Sequence, residues 1–434
     1  MKQLAIRRED KNIWERRAPL IPEDLRELNE KGSLEAIVQP SEIRVFQDAE
    51  YVDIGARLAE DISAAECIFG IKEIPSEKIF DKKVYVFFSH VIKGQKKNMP
   101  MLKKILDSGS TVIDYEMIVD DQGRRLVFFG RFAGLAGALD ILWLLGENLE
   151  SRNIHNPFLE CKQALQYRSV EEAKSRLRTV GEKIASQGLG PQLSPFVIGI
   201  LGYGHVSQGA QEIFDCLPCQ RVEPDDLARF IEGKKFNDKT VYITVFREEH
   251  LVRRRDGKPF QLQDYYDRPE EYVPQLEPYL PSINVLVNAI YWDARYPRFV
   301  TFENMKQLFA SHPENRFWAI ADLTCDVNGS IECTVRAADS GAPAYRCDPF
   351  TGSIADGHLG DGVVILAVDN LPCELPRDSS VYFSHVLKGF VPTILHADYT
   401  KPLGESGLES PIRKAVIVYN GELTADYEYI KKFL

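Results

Sequence analysis

One segment near the middle of the chain, from Phe196 to Ala210, constrains the fold more than any other. It reads Phe-Val-Ile-Gly-Ile-Leu-Gly-Tyr-Gly-His-Val-Ser-Gln-Gly-Ala. Its first six residues are apolar or glycine, which is typical of a buried parallel strand. A turn at Gly202 and Gly204 then leads into a helical pattern from Val206 to Phe214. The segment therefore predicts a strand, a glycine turn and a helix, the first unit of a dinucleotide-binding fold.

Each part of this unit has a predicted role toward a cofactor. Gly202 allows the tight turn, and Gly204 lets the backbone approach a pyrophosphate. The helix N-terminus, at His205 and Val206, offers free N–H groups to the phosphates. Ser207 stands where the fingerprint has a third glycine, but the small residues at 209 and 210 are expected to let the helix pack closely against a strand. The alternative interpretation is an ordinary strand–helix turn without a ligand.

A carboxylate at the end of the next strand would bind the ribose. Residues 219–222 are interpreted as the second strand of the fold, and Glu223 follows 21 residues after Gly202. This is near the spacing at which an acidic residue binds the ribose 2′-OH of NAD. Arg221 stands nearby and could hold the 2′-phosphate of NADP instead, so the choice between NAD(H) and NADP(H) stays open.

Global properties exclude several classes of protein. A chain of 434 residues predicts two or three domains, and a net charge of −11 argues against nonspecific binding of nucleic acid. No apolar run is judged long enough to span a membrane, and the N-terminus turns charged too early for a secretory signal. The eight cysteines are scattered, and Cys216 and Cys219 are interpreted as packing residues. We expect a cytoplasmic protein with no metal site.

Polar residues close several predicted strands in the N-terminal part. Lys72 follows the apolar residues 67–71, and His90 follows the strand that begins at Val84. Glu116 ends the strand that begins at Thr111 and could tune the same pocket. A lysine with a lowered pKa beside a histidine can run proton transfers. The alternative is a solvated lysine and a structural histidine.

Arg16 and Arg17 lie in a predicted loop before a helix that begins near Pro22. A solvated loop is one interpretation. The other is an arginine that binds a substrate carboxylate, because the planar guanidinium matches a carboxylate in shape.

Three further segments carry predictions about structure. Small residues between 133 and 138 predict a helix, reaching about residue 149, against which a neighbour packs closely. Residues 247–280 are polar, with Arg253-Arg-Arg255, and are interpreted as a surface insertion. Residues 382–389 nearly repeat 87–94, but His385 is predicted to lie on a helix in a structural role.

Several short stretches together resemble one superfamily, that of alanine dehydrogenase and lysine-forming saccharopine dehydrogenase. Within it, the chain is most similar to the lysine–ketoglutarate reductases, which form one half of the bifunctional aminoadipic semialdehyde synthases. The stretches are Ile6-Arg-Arg-Glu9, Arg16-Arg-Ala-Pro-Leu-Ile-Pro22, Gly70-Ile-Lys-Glu73, Phe88-Ser-His90, Asp114-Tyr-Glu116, Phe129-Gly-Arg-Phe-Ala-Gly134, Val222-Glu-Pro224, Ile290-Tyr-Trp292 and Asp369-Asn-Leu-Pro372. The second, saccharopine-cleaving half is expected to be absent, since the sequence stops at Leu434.

The resemblance implies an α/β fold of two Rossmann-like, doubly wound parallel-sheet domains with a cleft between them. Residues 1–148 plus 375–434 would form the substrate domain, and residues 149–374 the NAD(P)-binding domain. The implied partners are small molecules, with no nucleic acid and no membrane, and a homo-oligomer is possible.

The resemblance also implies the reaction, which is the reversible reductive condensation of lysine with 2-oxoglutarate to saccharopine by NAD(P)H. Lys72 and His90 match the acid–base pair, and Glu116 matches the carboxylate that tunes it. The matched substrate-binding residues are Arg17, Lys93 and Lys11. Arg131, Tyr291 and Asp369 join the glycine turn and Glu223 as predicted cofactor contacts.

Two rival functions stay open at this point. An amino-acid dehydrogenase acting on alanine would use much the same Arg17, Lys72 and His90. A nucleotide-binding module without substrate chemistry, or a regulator that binds NAD(P), would show cofactor binding with no turnover.

Overall fold

The computed structural model describes residues 2–32 and 34–434, and these form two compact units. The first unit runs to Phe129 and resumes at Pro376, and the second comprises Gly130–Leu375. The first boundary lies at Phe129, whereas the sequence placed it at residue 148. The difference is one helix, Gly130–Ser151, which packs within the second unit.

The strands are, in chain order, β1 Lys2–Ile6, β2 Leu34–Val38, β3 Arg57–Leu58, β4 Cys67–Phe69, β5 Val84–Phe87, β6 Thr111–Asp114, β7 Phe196–Leu201, β8 Cys219–Arg221, β9 Val241–Phe246, β10 Val252–Arg254, β11 Tyr272–Pro274, β12 Val285–Asn288, β13 Ala319–Asp322, β14 Ala344–Cys347, β15 Ile354–Asp356, β16 Val363–Leu366, β17 Val416–Tyr419 and β18 Glu422–Leu423.

The α-helices are α1 Pro22–Lys31, α2 Asp48–Val52, α3 Met99–Asp107, α4 Gly130–Ser151, α5 Val170–Gln187, α6 His205–Phe214, α7 Pro224–Glu232, α8 Glu248–Leu251, α9 Leu262–Asp267, α10 Phe302–Ser311, α11 Pro376–Leu387, α12 Val391–His396 and α13 Ser410–Lys414.

The sheet of the first unit has the strand order β18-β17-β6-β5-β4-β1-β2-β3. Strands β1 to β6 are parallel, and the C-terminal β17 and β18 add antiparallel strands at one side. The central strands are apolar and fully buried, as parallel strands covered on both faces must be. Their carboxyl ends share one edge, so the residues that follow β4, β5 and β6 gather there.

The C-terminal segment closes on the loop before α1. Ala18 N donates to Ser380 Oγ (2.9 Å), and Ile21 N donates to Ser384 Oγ (2.9 Å). His385 lies on α11, as predicted, with Nδ1 3.3 Å from the buried carboxylate of Asp24. These bonds anchor the stretch that carries Arg17.

The sheet of the second unit has the order β15-β14-β16-β13-β12-β7-β9-β8. Strands β8, β9, β7, β12, β13 and β16 are parallel, so the α/β prediction is confirmed in both units. One detail departs from the doubly wound order 3-2-1-4-5-6. Here β9 pairs with β7, and β8, the strand expected beside β7, lies beyond β9 at the edge.

Helix α4 is the core helix of the second unit. By length and composition it is apolar enough to cross a bilayer, so the expectation that no such run exists is wrong. However, 83% of its apolar stretch is buried, which is typical of a core helix. The prediction that a neighbour packs closely on its small residues is confirmed. A Cβ on Gly134 would lie 1.9 Å from Val206 O, and one on Gly209 would lie 2.1 Å from Arg131 O.

Candidate functional site

Lys72 follows β4 at the carboxyl edge of the first unit's sheet. The buried carboxylate of Glu9 fixes this turn, because it accepts from Ile71 N (2.7 Å) and Lys72 N (3.0 Å). Burial lowers the pKa of Lys72 to about 8, and the positive charges of Arg17 and Lys11 act in the same direction. An amine with such a pKa can take a proton, and its ammonium form can give one up, near neutral pH.

His90 and Lys11 share one carboxylate, that of Glu73. His90 Nδ1 lies 2.9 Å from Glu73 Oε1, and Lys11 Nζ lies 3.3 Å from Glu73 Oε2. Burial works to raise the pKa of Glu73, but the hydrogen bond and charge of His90 and the charge of Lys11 outweigh it. The pKa of Glu73 is therefore held well below its usual range. Glu73 thus stays charged and orients the imidazole.

The backbone of His90 is in an unusual conformation. Its φ is +48°, which a residue with a side chain adopts rarely and at some cost. Asn98 Nδ2 donates to His90 O at 3.0 Å and helps to hold this conformation. Strain of this kind is concentrated at functional sites, which supports the catalytic interpretation of His90 over the structural one.

Arg17 is buried, not solvated, with 2% of its side chain exposed. Its guanidinium donates to both carboxylate oxygens of the buried Glu15, at 2.7 and 2.6 Å. It also lies over the ring of Phe129, 4.2 Å from the centroid. Arg17 is close enough to Lys72 for its charge to lower the lysine's pKa. The structure thus brings Lys11, Arg17, Lys72 and His90 into one cluster.

Glu116 and Lys93 lie differently from what the sequence suggested. Glu116 sits in a short 3₁₀ turn after β6, and its carboxylate pairs with Arg125. The carboxylate in contact with His90 is Glu73, which directly follows Lys72 in the sequence. Lys93 is exposed. In the sequence, Glu73 follows Lys72 and Glu15 lies two residues before Arg17. Acidic residues lie near basic ones so often that these positions did not identify Glu73 and Glu15 as functional residues.

In the second unit, the glycine turn has the predicted geometry. Gly202 has a φ of +93°, and a Cβ there would meet Ile290 Cγ2 at 2.9 Å and Ala289 O at 3.0 Å. A Cβ on Gly204 would have nothing within 4 Å, so open space lies in front of this backbone. Helix α6 begins at His205, directly after it, and Val206 lies in its first turn. An exposed backbone at a helix N-terminus fits a pyrophosphate.

A cavity of about 360 Å³ opens beside this turn. Three predicted cofactor residues line it, namely Gly202, Gly204 and Tyr291. The segment interpreted as a surface insertion contributes to the same wall, so that interpretation is corrected. The other lining residues are Tyr203, Glu248, Leu251, Tyr265, Tyr266, Ala289, Ile290, Tyr296 and Phe299. Aromatic walls and an open glycine backbone fit a nicotinamide dinucleotide.

Other predicted cofactor residues lie outside the lining of this cavity. Glu223 is exposed at the start of α7, and Asp369 is exposed after β16. Arg131 donates to both carboxylate oxygens of Glu212, at 2.8 and 2.6 Å. Arg221 Nη2 lies 2.9 Å from Asp215 Oδ1. Across residues 2–32 and 34–434, the structure shows no cluster of His, Cys, Asp and Glu suited to a metal ion.

Comparison with known proteins agrees with this geometry. Residues 5–136 match the family "Alanine dehydrogenase/PNT, N-terminal domain". The alpha-aminoadipic semialdehyde synthase of Arabidopsis thaliana is 39% identical over 445 residues, covering 99% of this chain and 41% of that protein. The superfamily resemblance is confirmed. The chain spans less than half the length of this relative.

A more distant relative and one solved structure extend the comparison. The lysine-forming NAD⁺ saccharopine dehydrogenase of Emericella nidulans is 27% identical over 390 residues, covering 86% of this chain and 87% of that protein. A solved structure of L-alanine dehydrogenase is similar with a TM-score of 0.63 at 16% identity, covering 99% and 98% of the two chains. The latter supports the two-domain α/β fold alone.

Proposed function

We propose that this chain is an oxidoreductase that catalyses the reversible, NAD(P)H-dependent condensation of L-lysine with 2-oxoglutarate to saccharopine. The relatives named above motivate the substrate pair. The single observation that carries the chemistry is the cluster in which the half-buried Lys72, with a pKa of about 8, lies with Arg17, Lys11 and the His90–Glu73 pair.

The reaction needs proton transfers that this cluster can supply. The ε-amine of the substrate lysine must be neutral to attack the keto carbon of 2-oxoglutarate. The carbinolamine that forms must then be protonated on oxygen and lose water to give an imine. A bound NAD(P)H supplies the hydride that reduces the imine. Lys72 and His90 are the groups proposed to take and return these protons, and Glu73 is proposed to orient His90.

The substrates carry several carboxylates, and cationic side chains are proposed to hold them. Arg17 is fixed by Glu15 and by the Phe129 ring, so its orientation is set before a substrate arrives. Lys11 and Lys93 are the further predicted contacts. Three further statements stay predictions. They are the role of Glu116 in tuning the acid–base pair, the cytoplasmic location and a homo-oligomeric state.

The test is to follow NADH and NADPH oxidation with 2-oxoglutarate, with and without lysine. Oxidation that requires both substrates is expected. The same assay with pyruvate and ammonia tests an alanine-dehydrogenase-like activity. Oxidation with pyruvate and ammonia alone would contradict the proposal. So would the absence of oxidation with either substrate pair in a protein that binds the cofactor.

A further inference from the structure

The chain makes a tight turn at residues 91–94, directly after His90. Gly94 N donates to Val91 O at 2.9 Å and closes this turn. Gly94 has a φ of +67°, and His90, at the other side of the turn, has a φ of +48°. A residue with a side chain keeps a positive φ only where the surrounding structure holds it there. The contacts that hold the turn are therefore part of what fixes the backbone of His90.

The last 3₁₀ segment of the chain, Ala425–Phe433, is anchored in the core of the first unit. Tyr427 and Ile430 are buried in that core. Tyr427 Oη also donates to Lys414 O at 2.8 Å, which ties the segment to the end of α13. The residues beside these two anchors are thereby held at defined positions on the surface of the unit.

Two side chains of this C-terminal segment contact the turn. Tyr429 Oη donates to Ile92 O at 2.8 Å. The ring of Phe433 packs on Gly94, where an added Cβ would lie 2.5 Å from Phe433 Cγ. The absence of a side chain at Gly94 thus allows both the positive φ and the close approach of the ring. The two contacts fix the backbone on either side of Lys93.

The backbone of His90 is held on both sides, and its imidazole meets a different loop. Ser89 N donates to Asp114 Oδ2 at 3.0 Å before it, and Asn98 Nδ2 bonds to the carbonyl of His90 itself. The ring contacts Glu73, which follows another strand of the sheet. A turn that relaxed to ordinary φ values would move His90 relative to Glu73 and weaken this contact.

We propose that Tyr429 and Phe433 are positioning residues for His90. They hold the turn of residues 91–94 in place, which keeps the imidazole against the Glu73 carboxylate. They act through the backbone and need no contact with a substrate or cofactor. The expected effect on turnover rests on the proposed function, whereas the expected effect on the imidazole does not.

The test combines steady-state kinetics of the full chain with NMR of its histidine rings in ¹³C-histidine-labelled protein. The His90 resonance is assigned by its loss in His90→Gln. Tyr429→Phe should lower kcat about 2–10-fold, the loss expected for one hydrogen bond. The double variant Tyr429→Phe/Phe433→Ala should lower kcat about 10–100-fold. In both variants the His90 resonance should shift.

Thermal melting and two control variants separate positioning from general stability. Tyr429 and Phe433 are 46% and 41% exposed, so their replacement should change Tm little. Tyr419→Phe is the matched control, because Tyr419 Oη donates to Lys401 O over the same 2.8 Å at the surface of the same unit. It should leave kcat and the His90 resonance unchanged. Phe433→Tyr keeps the ring on the turn and should behave like wild type.

The two readouts distinguish failure of this inference from failure of the proposed function. An unshifted His90 resonance in the double variant would overturn the inference, and so would equal losses of kcat in Tyr419→Phe and Tyr429→Phe. A shifted resonance with unchanged kcat would support the positioning and contradict the acid–base role of His90. Absence of lysine-dependent turnover in the wild type would contradict the proposed function, and the resonance would still decide the positioning.

Discussion

At the scale of single residues, Lys72 carries the sharpest prediction. Lys72→Met and His90→Gln should each lower turnover about 10²–10⁴-fold, because a proton-transfer group is lost. NADH binding, measured by titration, should stay near normal. A wild-type pH profile of kcat should show a step at about pH 8, where Lys72 loses its proton, and Lys72→Met should lack this step. Wild-type rates in both variants would refute the acid–base roles.

The lowered pKa of Lys72 also predicts an effect on stability. The folded protein disfavours the ammonium form of Lys72, which lowers the free energy of unfolding. This effect is fully present below pH 8 and disappears as the pH rises toward the ordinary pKa of 10.5. Lys72→Met should therefore raise the free energy of unfolding at pH 7 by about 1–3 kcal/mol. Denaturant unfolding at pH 7 checks the value, and a destabilised variant would contradict it.

Glu73 and Glu116 form a second pair of predictions at this scale. Glu73→Gln should lower kcat/KM about 10–100-fold, because the imidazole of His90 loses the carboxylate that orients it. Glu116→Gln breaks only the contact with Arg125 that the structure shows. If Glu116→Gln lowers kcat/KM and Glu73→Gln does not, the family resemblance predicts the partner of His90 better than the geometry does.

At the scale of elements, the glycines of the α4–α6 contact differ from the glycine of the turn. Gly209→Ala would force a methyl group against the α4 backbone and should lower the free energy of unfolding by about 1–3 kcal/mol or more. Gly204→Ala meets no protein atom and has an ordinary φ of −74°. It should keep its Tm but weaken NADH binding at least about tenfold.

Thermal melting should show a loss of stability in Gly209→Ala and not in Gly204→Ala, and cofactor titration should show weaker NADH binding in Gly204→Ala. Each variant is therefore the control for the other. The small residues 209 and 210 were expected to allow close packing against a strand. The structure shows that Gly209 instead allows close packing against helix α4, and that Gly134 does the same from the other side.

At the scale of the whole second unit, two buried carboxyl groups make stability depend on pH. Asp140 on α4 and Glu374 near the end of the unit lie against each other. Burial raises the pKa of Asp140 to about 6. Burial and the charge of Asp140 raise the pKa of Glu374 well above its usual range. Below about pH 4 both carboxyl groups are neutral and their burial does not destabilise the fold. The free energy of unfolding then decreases as the pH rises through 6.

Glu374→Gln should remove much of this decline and raise the free energy of unfolding at pH 8 by about 1–3 kcal/mol. Denaturant unfolding between pH 5 and 8, followed by tryptophan fluorescence, measures it. Glu314→Gln, an exposed carboxylate of the same unit, should change little. Equal pH dependence in wild type and Glu374→Gln would contradict the prediction.

The sequence by itself determined the features that depend on neighbouring residues. The β7–turn–α6 unit follows from local apolar pattern and glycine conformation, so its bounds differ from the prediction by one residue. Lys72 and His90 were found because parallel strands bring their carboxyl ends to one edge. The family resemblance followed from short motifs of the same kind.

Only the tertiary structure decided which strand lies beside β7 and which acids face the predicted sites. Strands β8 and β9 are both compatible with the position next to β7, and hydrogen bonds between distant segments select β9. Glu248, and not Glu223, lines the cavity beside the glycine turn, and residues of the predicted surface insertion form part of its wall. The partner of His90 is likewise set by how two loops meet in space, which residue spacing does not encode.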